Sequence, residues 1–184
     1  KNLVTVSNLS SSRALRDVTE SYGGTYFASA VGEVNATTLM HEKGAIIGGE
    51  GTGGVIYPAI HSGRDAMVGV ALFLSNLAHK KMTVSELKKT YPEYHIAKNK
   101  IELSDKGLID KILSELKVIY AHENVNDIDG VKISFEDKRE WVHLRKSNTE
   151  PIIRIYSEAP TEEEAVKLGE KVIAVAEKII SSAK

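Results

Sequence analysis

Cysteine is absent from the 184 residues, which excludes disulfide frameworks, thiolate metal sites and cysteine-based redox chemistry. No apolar run approaches the roughly 18 residues that a membrane-spanning helix needs, and the opening KNLVTVSN lacks the apolar core of a secretory signal. Neither sign of charge dominates: 24 Lys and Arg stand against 25 Asp and Glu, so no global field draws the chain to nucleic acid or a membrane surface, and any anion site has to be local. Aromatics are sparse, which argues against a sheet surface built to stack bases. His41, His79, His95, His122 and His143 have no metal-ligand spacing such as H-E-x-x-H and read as surface or strand residues, so no metal site is expected. The default expectation is a cytoplasmic protein with no nucleic-acid and no membrane partner. An initiator Met is also missing, and a strand-like run begins two residues in, so a piece of a longer protein is expected.

What is present has the periodicity of two folded units. Leu3 to Val6, Thr25 to Ala28 and Ala45 to Ile47 read as strands, separated by helical spacing at Ala14, Leu15, Val18 and Tyr22 and at Ala36, Leu39 and Met40. Alternating strand and helix with short links predicts a three-layer α/β domain with a mainly parallel sheet, its ligand loops beyond the carboxyl ends of the strands. After Val55 to Tyr57, Ser62 with Asp65 resembles a capping box, opening a helix over Asp65 to Lys80 whose Met67, Val68, Ala71, Leu72, Leu74, Leu77 and Ala78 predict that it is largely buried. Thr83 with Glu86 is a second box, and Pro92 bounds the short helix behind it. The expected domains are 1–95 and 96–184.

The second unit opens with a strand near Lys100 to Leu103, followed by a helix capped by Ser104 with Leu108, Ile109, Ile112, Leu113 and Leu116 on its apolar side. Gly130 to Phe135, Glu140 to Leu144 and Ile152 to Tyr156 form an antiparallel meander, and a last helix starts at the Thr161/Glu164 capping box. Two helices on one face of an antiparallel sheet predict a small α+β domain.

Three polar stretches could carry chemistry. Between the last two strands, Ser147 and Thr149 offer hydroxyls, Asn148 tolerates a left-handed backbone, and Arg145 and Arg154 flank the turn with forked donors suited to phosphate. A surface hairpin with stray arginines is the other reading. Gly48 to Gly54 follows the third strand and lets a backbone approach a ligand, with Glu50 suited to accept hydrogen bonds from hydroxyls; a flexible glycine turn with a solvated carboxylate is the alternative. Glu33 either faces a ligand or is simply an acidic residue favoured at a helix start. His61-Ser62-Gly63-Arg64-Asp65 reads as a helix N-terminus in preference to a catalytic cluster.

The run Arg145 to Arg154, RKSNTEPIIR, resembles the R-x-S-[GN]-T-E-P-x-x-R phosphate-binding loop in the last domain of the α-D-phosphohexomutases, the phosphoglucomutase, phosphomannomutase and phosphoglucosamine mutase group. Upstream, Gly49 to Gly54 resembles that family's G-E-x-S-G-H sugar-recognition loop, with Gly54 where His is usual, and Val31-Gly32-Glu33 resembles the turn that precedes it. The resemblance implies phosphate binding by Arg145, Ser147, Asn148, Thr149 and Arg154. It implies sugar-hydroxyl recognition by Glu50, Thr52 and Glu33. The family's T-A-S-H-N-P-like phosphoserine loop and its D-x-D-x-D-R magnesium loop have no counterpart, so no catalytic or metal residue is expected in this chain. The resemblance therefore implies the substrate-recognition half, domains 3 and 4, of a phosphohexomutase, an isomerase whose Mg²⁺ and missing N-terminal domains belong to the full-length enzyme. A non-catalytic sugar-phosphate binding module is the alternative.

Overall fold

Alternation along one strand organises the first unit. In β1 (Val4–Asn8), Val4 and Val6 are buried against helix α2 (Glu33–Lys43), whereas the Thr5 hydroxyl lies 2.7 Å from that of Thr19 on helix α1 (Ala14–Ser21). β1 runs parallel to both its neighbours, β2 (Thr25–Ser29) and β3 (Ile47–Glu50). A parallel return needs a crossover, and right-handed crossovers to opposite sides of β1 put α1 and α2 on opposite faces. The hairpin β4 (Gly54–Tyr57) and β5 (His61–Arg64) extends the sheet antiparallel, giving the order β2-β1-β3-β4-β5. Helix α3 (Ala66–Lys80) sets Gly69 against Val55 on the α1 face, and the short helix α4 (Val84–Lys88) carries the Thr83/Glu86 capping box with both hydrogen bonds made. These are the three layers of an α/β domain.

The computed structural model describes residues 3–103, 107–147 and 150–182, and the chain divides into two units between Glu93 and Tyr94. In the second, β6 (His95–Glu102), β7 (Asn124–Asn126), β8 (Val131–Phe135), β9 (Glu140–Lys146) and β10 (Ile152–Ala159) form an antiparallel sheet of order β6-β10-β9-β8-β7. Helices α5 (Gly107–Ile119) and α6 (Glu162–Ser182) bury Ile112, Leu116, Val172 and Ala176 against Ile133, Val142, Leu144, Ile153 and Ile155 of the sheet. The opposite face presents Trp141, His143 and Arg145 from β9. Trp141 is buried there, its indole N–H donating to Glu158 at 2.6 Å.

Three expectations change. The third strand runs through Gly48, Gly49 and Glu50 and does not stop at Ile47. Gly48 permits this: a Cβ there would collide with the Val6 carbonyl and lie 2.8 Å from Met40 Sδ, so α2 could not sit on the sheet. The link from Gly51 to Gly53 is too short for a crossover helix, which is why β4 turns back antiparallel. Ser62 is in β5 with its hydroxyl 2.7 Å from His41 Nε2, and Asp65 is the cap, accepting from Val68 N–H at 3.0 Å. Finally, α3 has no buried residue, with Met67, Val70 and Leu74 more than half exposed. It rests mainly on β4, a four-residue strand, and one short strand cannot cover an apolar surface that extends around the helix. Ser104 lies outside the described residues.

Burial holds the His143 imidazole neutral, its pKa pushed down to about 4 despite the Nε2–H donating to the Asp129 carbonyl at 2.6 Å. Between the unfolded value near 6.5 and the folded value, the unfolded chain binds the extra proton, so stability falls as pH falls through that window. Urea titrations should show up to roughly 3 kcal/mol lost between pH 6.5 and 4 from this group. A His143→Gln chain, which keeps a donor for Asp129, should lose less over the same range; equal losses would refute the assignment.

Candidate functional site

The chain leaves β1 for one side of the sheet and enters β3 on the other, so a crevice opens between their carboxyl ends, where open α/β sheets take ligands. Asn8 ends β1 there. Its Oδ1 accepts from Ser10 N–H at 3.1 Å and Ser11 Oγ at 3.0 Å, which turns its amide nitrogen to Glu50 Oε1 at 3.2 Å. Glu50 ends β3, and its other oxygen lies 3.2 Å from Arg64 Nη1. Arg64 also binds Glu33 twice, through Nε at 2.7 Å and its backbone N–H at 3.0 Å. Two carboxylates from different elements thus meet on one guanidinium. On the α1 side of the same strand ends, Ser7, Ser11, Ser12, Leu15 and Val55 line a cavity of about 300 Å³.

The hydrogen bond from Arg64 N–H, then that from its side chain, holds the Glu33 carboxyl below the usual range, so it remains an ionised acceptor at neutral pH. Among the described residues no group of three or more His, Asp and Glu side chains could hold a metal ion. Glu33 and Glu50 already have a cation between them. The described residues therefore do not fit Mg²⁺.

The second unit carries the opposite charge pattern. Arg154 on β10 sits directly opposite Arg145 on β9 and directly opposite Lys100 on β6. Cross-strand partners point to the same face with Cβ atoms about 4.5–5.5 Å apart, and like charges so opposed are destabilising. Lys100 is relieved by Glu102 at 2.6 Å, and Arg154 in part by Glu150 at 3.6 Å. Arg145 Nε is fully buried and has no hydrogen-bond acceptor among the described residues. A buried donor of this kind calls for an acceptor, and beside two further cations an anion suits it. Ser147 closes the end of β9, its N–H donating to the Ile152 carbonyl at 3.0 Å. Asn148 and Thr149 lie outside the described residues.

Sequence reading named Glu33, Glu50, Arg145, Ser147 and Arg154, and Glu33 does join Glu50. Thr52 is exposed at the tip of the β3–β4 turn. Asn8, Arg64 and Lys100 were missed. Asn8 follows a serine at the end of a predicted strand, where the carboxyl-end rule could have picked it out; Lys100 needs the strand register, and Arg64 needs the hairpin.

Comparison with known proteins follows the same division. Residues 1–94 match the family described as "Phosphoglucomutase/phosphomannomutase, alpha/beta/alpha domain III", and residues 99–175 match its "C-terminal domain". Among similar proteins, a "Phosphoglucomutase/phosphomannomutase" of Thermococcus kodakarensis is 35% identical over 91% of this chain and 37% of its own length. A "Phosphoglucosamine/phosphogalactosamine mutase" of Sulfurisphaera tokodaii is 34% identical over 91% of this chain and 36% of its own. A family protein of Burkholderia thailandensis shares the fold, with a TM-score of 0.75 at 22% identity over 96% of this chain and 38% of that one. The chain thus spans less than two fifths of the relatives it matches.

Orthophosphate probes this row of cations by itself. Calorimetric titration at low ionic strength should show binding that Arg145→Ala weakens about ten-fold or more, since a charge-assisted hydrogen bond contributes roughly 1.5–3 kcal/mol. Unchanged affinity would remove Arg145 from the site.

Proposed function

The chain belongs to the phosphoglucomutase/phosphomannomutase family, and from that membership we propose that it is the substrate-recognition portion of a phosphohexomutase, which interconverts hexose 1-phosphates and 6-phosphates by phosphoryl transfer. The observation that carries this reading is the row Lys100, Arg154, Arg145 with its unsatisfied buried Nε. Three cations in register are suited to a phosphate dianion. Arg145 and Arg154 supply forked donors, Ser147 adds a hydroxyl, and Asn148 and Thr149 complete the proposed set.

In the first unit Glu50 and Glu33 accept hydrogen bonds from sugar hydroxyls, with Thr52 as a further polar contact. Carboxylates suit hydroxyl donors and repel phosphate, so the first unit's cluster is read as the one that recognises hydroxyls. The substrate class is a hexose or hexosamine phosphate. The sequence has neither the phosphoserine loop nor the magnesium loop of the family, so the reacting groups, and the Mg²⁺ that would neutralise phosphoryl charge, are assigned to the rest of the full-length enzyme. Recognition without a nucleophile cannot stabilise a transition state.

Two outcomes test the reading. Glu50→Ala should lower affinity for glucose 6-phosphate while orthophosphate binding stays within two-fold, roughly the limit of a non-contacting change; parallel loss of both would mean that Glu50 does not read hydroxyls. The chain by itself, supplied with Mg²⁺ and a hexose bisphosphate, should show no conversion of glucose 1-phosphate in a coupled assay. Sustained turnover would overturn its assignment as a recognition portion.

A further inference from the structure

The Arg64 side chain takes an unusual route to its partners. It starts on β5 opposite Ile56, passes over Gly54 on β4, and reaches Glu50 on β3, the residue paired with Gly54 in the ladder. Position 54, having no side chain, leaves that route open. A Cβ at Gly54 would collide with Arg64 Cδ and lie 2.9 Å from Cγ. The route also passes the start of α2, where Glu33 takes both the Nε–H and the backbone N–H of Arg64.

Resting on the hydroxyl-recognition reading above, we propose that Arg64 is the positioning residue of the sugar site, clamping Glu33 and Glu50 into one rigid pair of acceptors for neighbouring hydroxyls of the hexose ring, with Gly54 as the gap that admits it. Removing the guanidinium leaves two carboxylates facing each other across the space it filled, and their repulsion would drive them apart or protonate one. Holding them before the ligand arrives spares the entropy of ordering two flexible glutamates on binding. Asn8 fixes Glu50 Oε1 from the far side, so Glu50 is held at both oxygens and its side chain is only 10% exposed. Lysine could not reproduce the clamp, because an ammonium is a point charge without the planar fork that meets two carboxylates at once.

The test is a double-mutant cycle on the full 184-residue chain, with glucose 6-phosphate and orthophosphate as probes in calorimetry. Arg64→Gln should weaken glucose 6-phosphate about ten-fold and leave orthophosphate unchanged, and Arg64→Lys should recover only a minor part of that loss. Gly54→Ala should weaken glucose 6-phosphate similarly in the wild-type background and have no further effect in the Arg64→Gln background, because the guanidinium whose placement it disturbs is already gone. A merely structural role would not give this coupling or spare orthophosphate. Independent, multiplying effects of the two substitutions would overturn the proposal, as would full affinity in Arg64→Gln. If Arg64→Gln unfolds the first unit, Arg64→Lys and Gly54→Ala carry the test. Loss of glucose 6-phosphate affinity in Glu50→Ala with none in Arg64→Gln refutes the clamp and leaves the hydroxyl reading standing; full affinity in Glu50→Ala refutes both.

Discussion

Three cations share one row across hydrogen-bonded strands because the core beneath them leaves no other register. Leu144, Ile153 and Ile155 are completely buried on the helix side of the sheet, and Arg145 and Arg154 alternate with them. Slipping either strand by one residue would turn the aliphatic side chains to solvent and the arginines into the core. Each buried Leu or Ile contributes about 1.5–3 kcal/mol, whereas like charges opposed across a sheet cost less than about 1 kcal/mol per pair. Hydrophobic burial therefore wins, and it forces the arginines together. The proposed anion site follows from packing that concerns no ligand at all.

The first unit reaches its site by a different compromise. Its carboxylates come from separate elements, Glu33 at the start of α2 and Glu50 at the end of β3, and only the return of the chain through β4 and β5 brings Arg64 between them. Glycine at 48 lets α2 lie close to the sheet, and glycine at 54 opens the lane for the guanidinium. Two glycines in one short run thus act on different neighbours, one on a helix and one on a side chain. The same bonds that assemble the cluster keep Glu33 ionised at neutral pH.

Much of this was legible in the residues. The strands and helices around β1 follow from periodicity, because each element buries one face, and the Thr83/Glu86 box was readable as a fixed spacing. Composition misled at α3: apolar residues all around a helix usually mean burial, but here the sheet beneath is a narrow hairpin. The strand β5, sequence HSGR, has no apolar alternation and is held by pairing to β4, so nothing local announces it. Arg145 and Arg154 stood out as a motif. Lys100 could not, since its place beside Arg154 depends on a register 54 positions away in the chain.

The two clusters differ in what charge they leave uncompensated, and this sets which ligand chemistry each one suits. In the first unit one guanidinium balances one of two carboxylates, so a single negative charge remains, with lone pairs to offer. A phosphate brought there would meet net repulsion, while a hydroxyl loses little on leaving water and gains a charge-assisted hydrogen bond. In the second unit three cations face two carboxylates, Glu102 and Glu150, both of them exposed, and the cation left over is the one with the buried donor. Neutral hydroxyls cannot satisfy that excess, but a dianion can. On the proposed assignment, charge alone already distinguishes the two ligand groups within each unit, and exchanging them would cost affinity at both places.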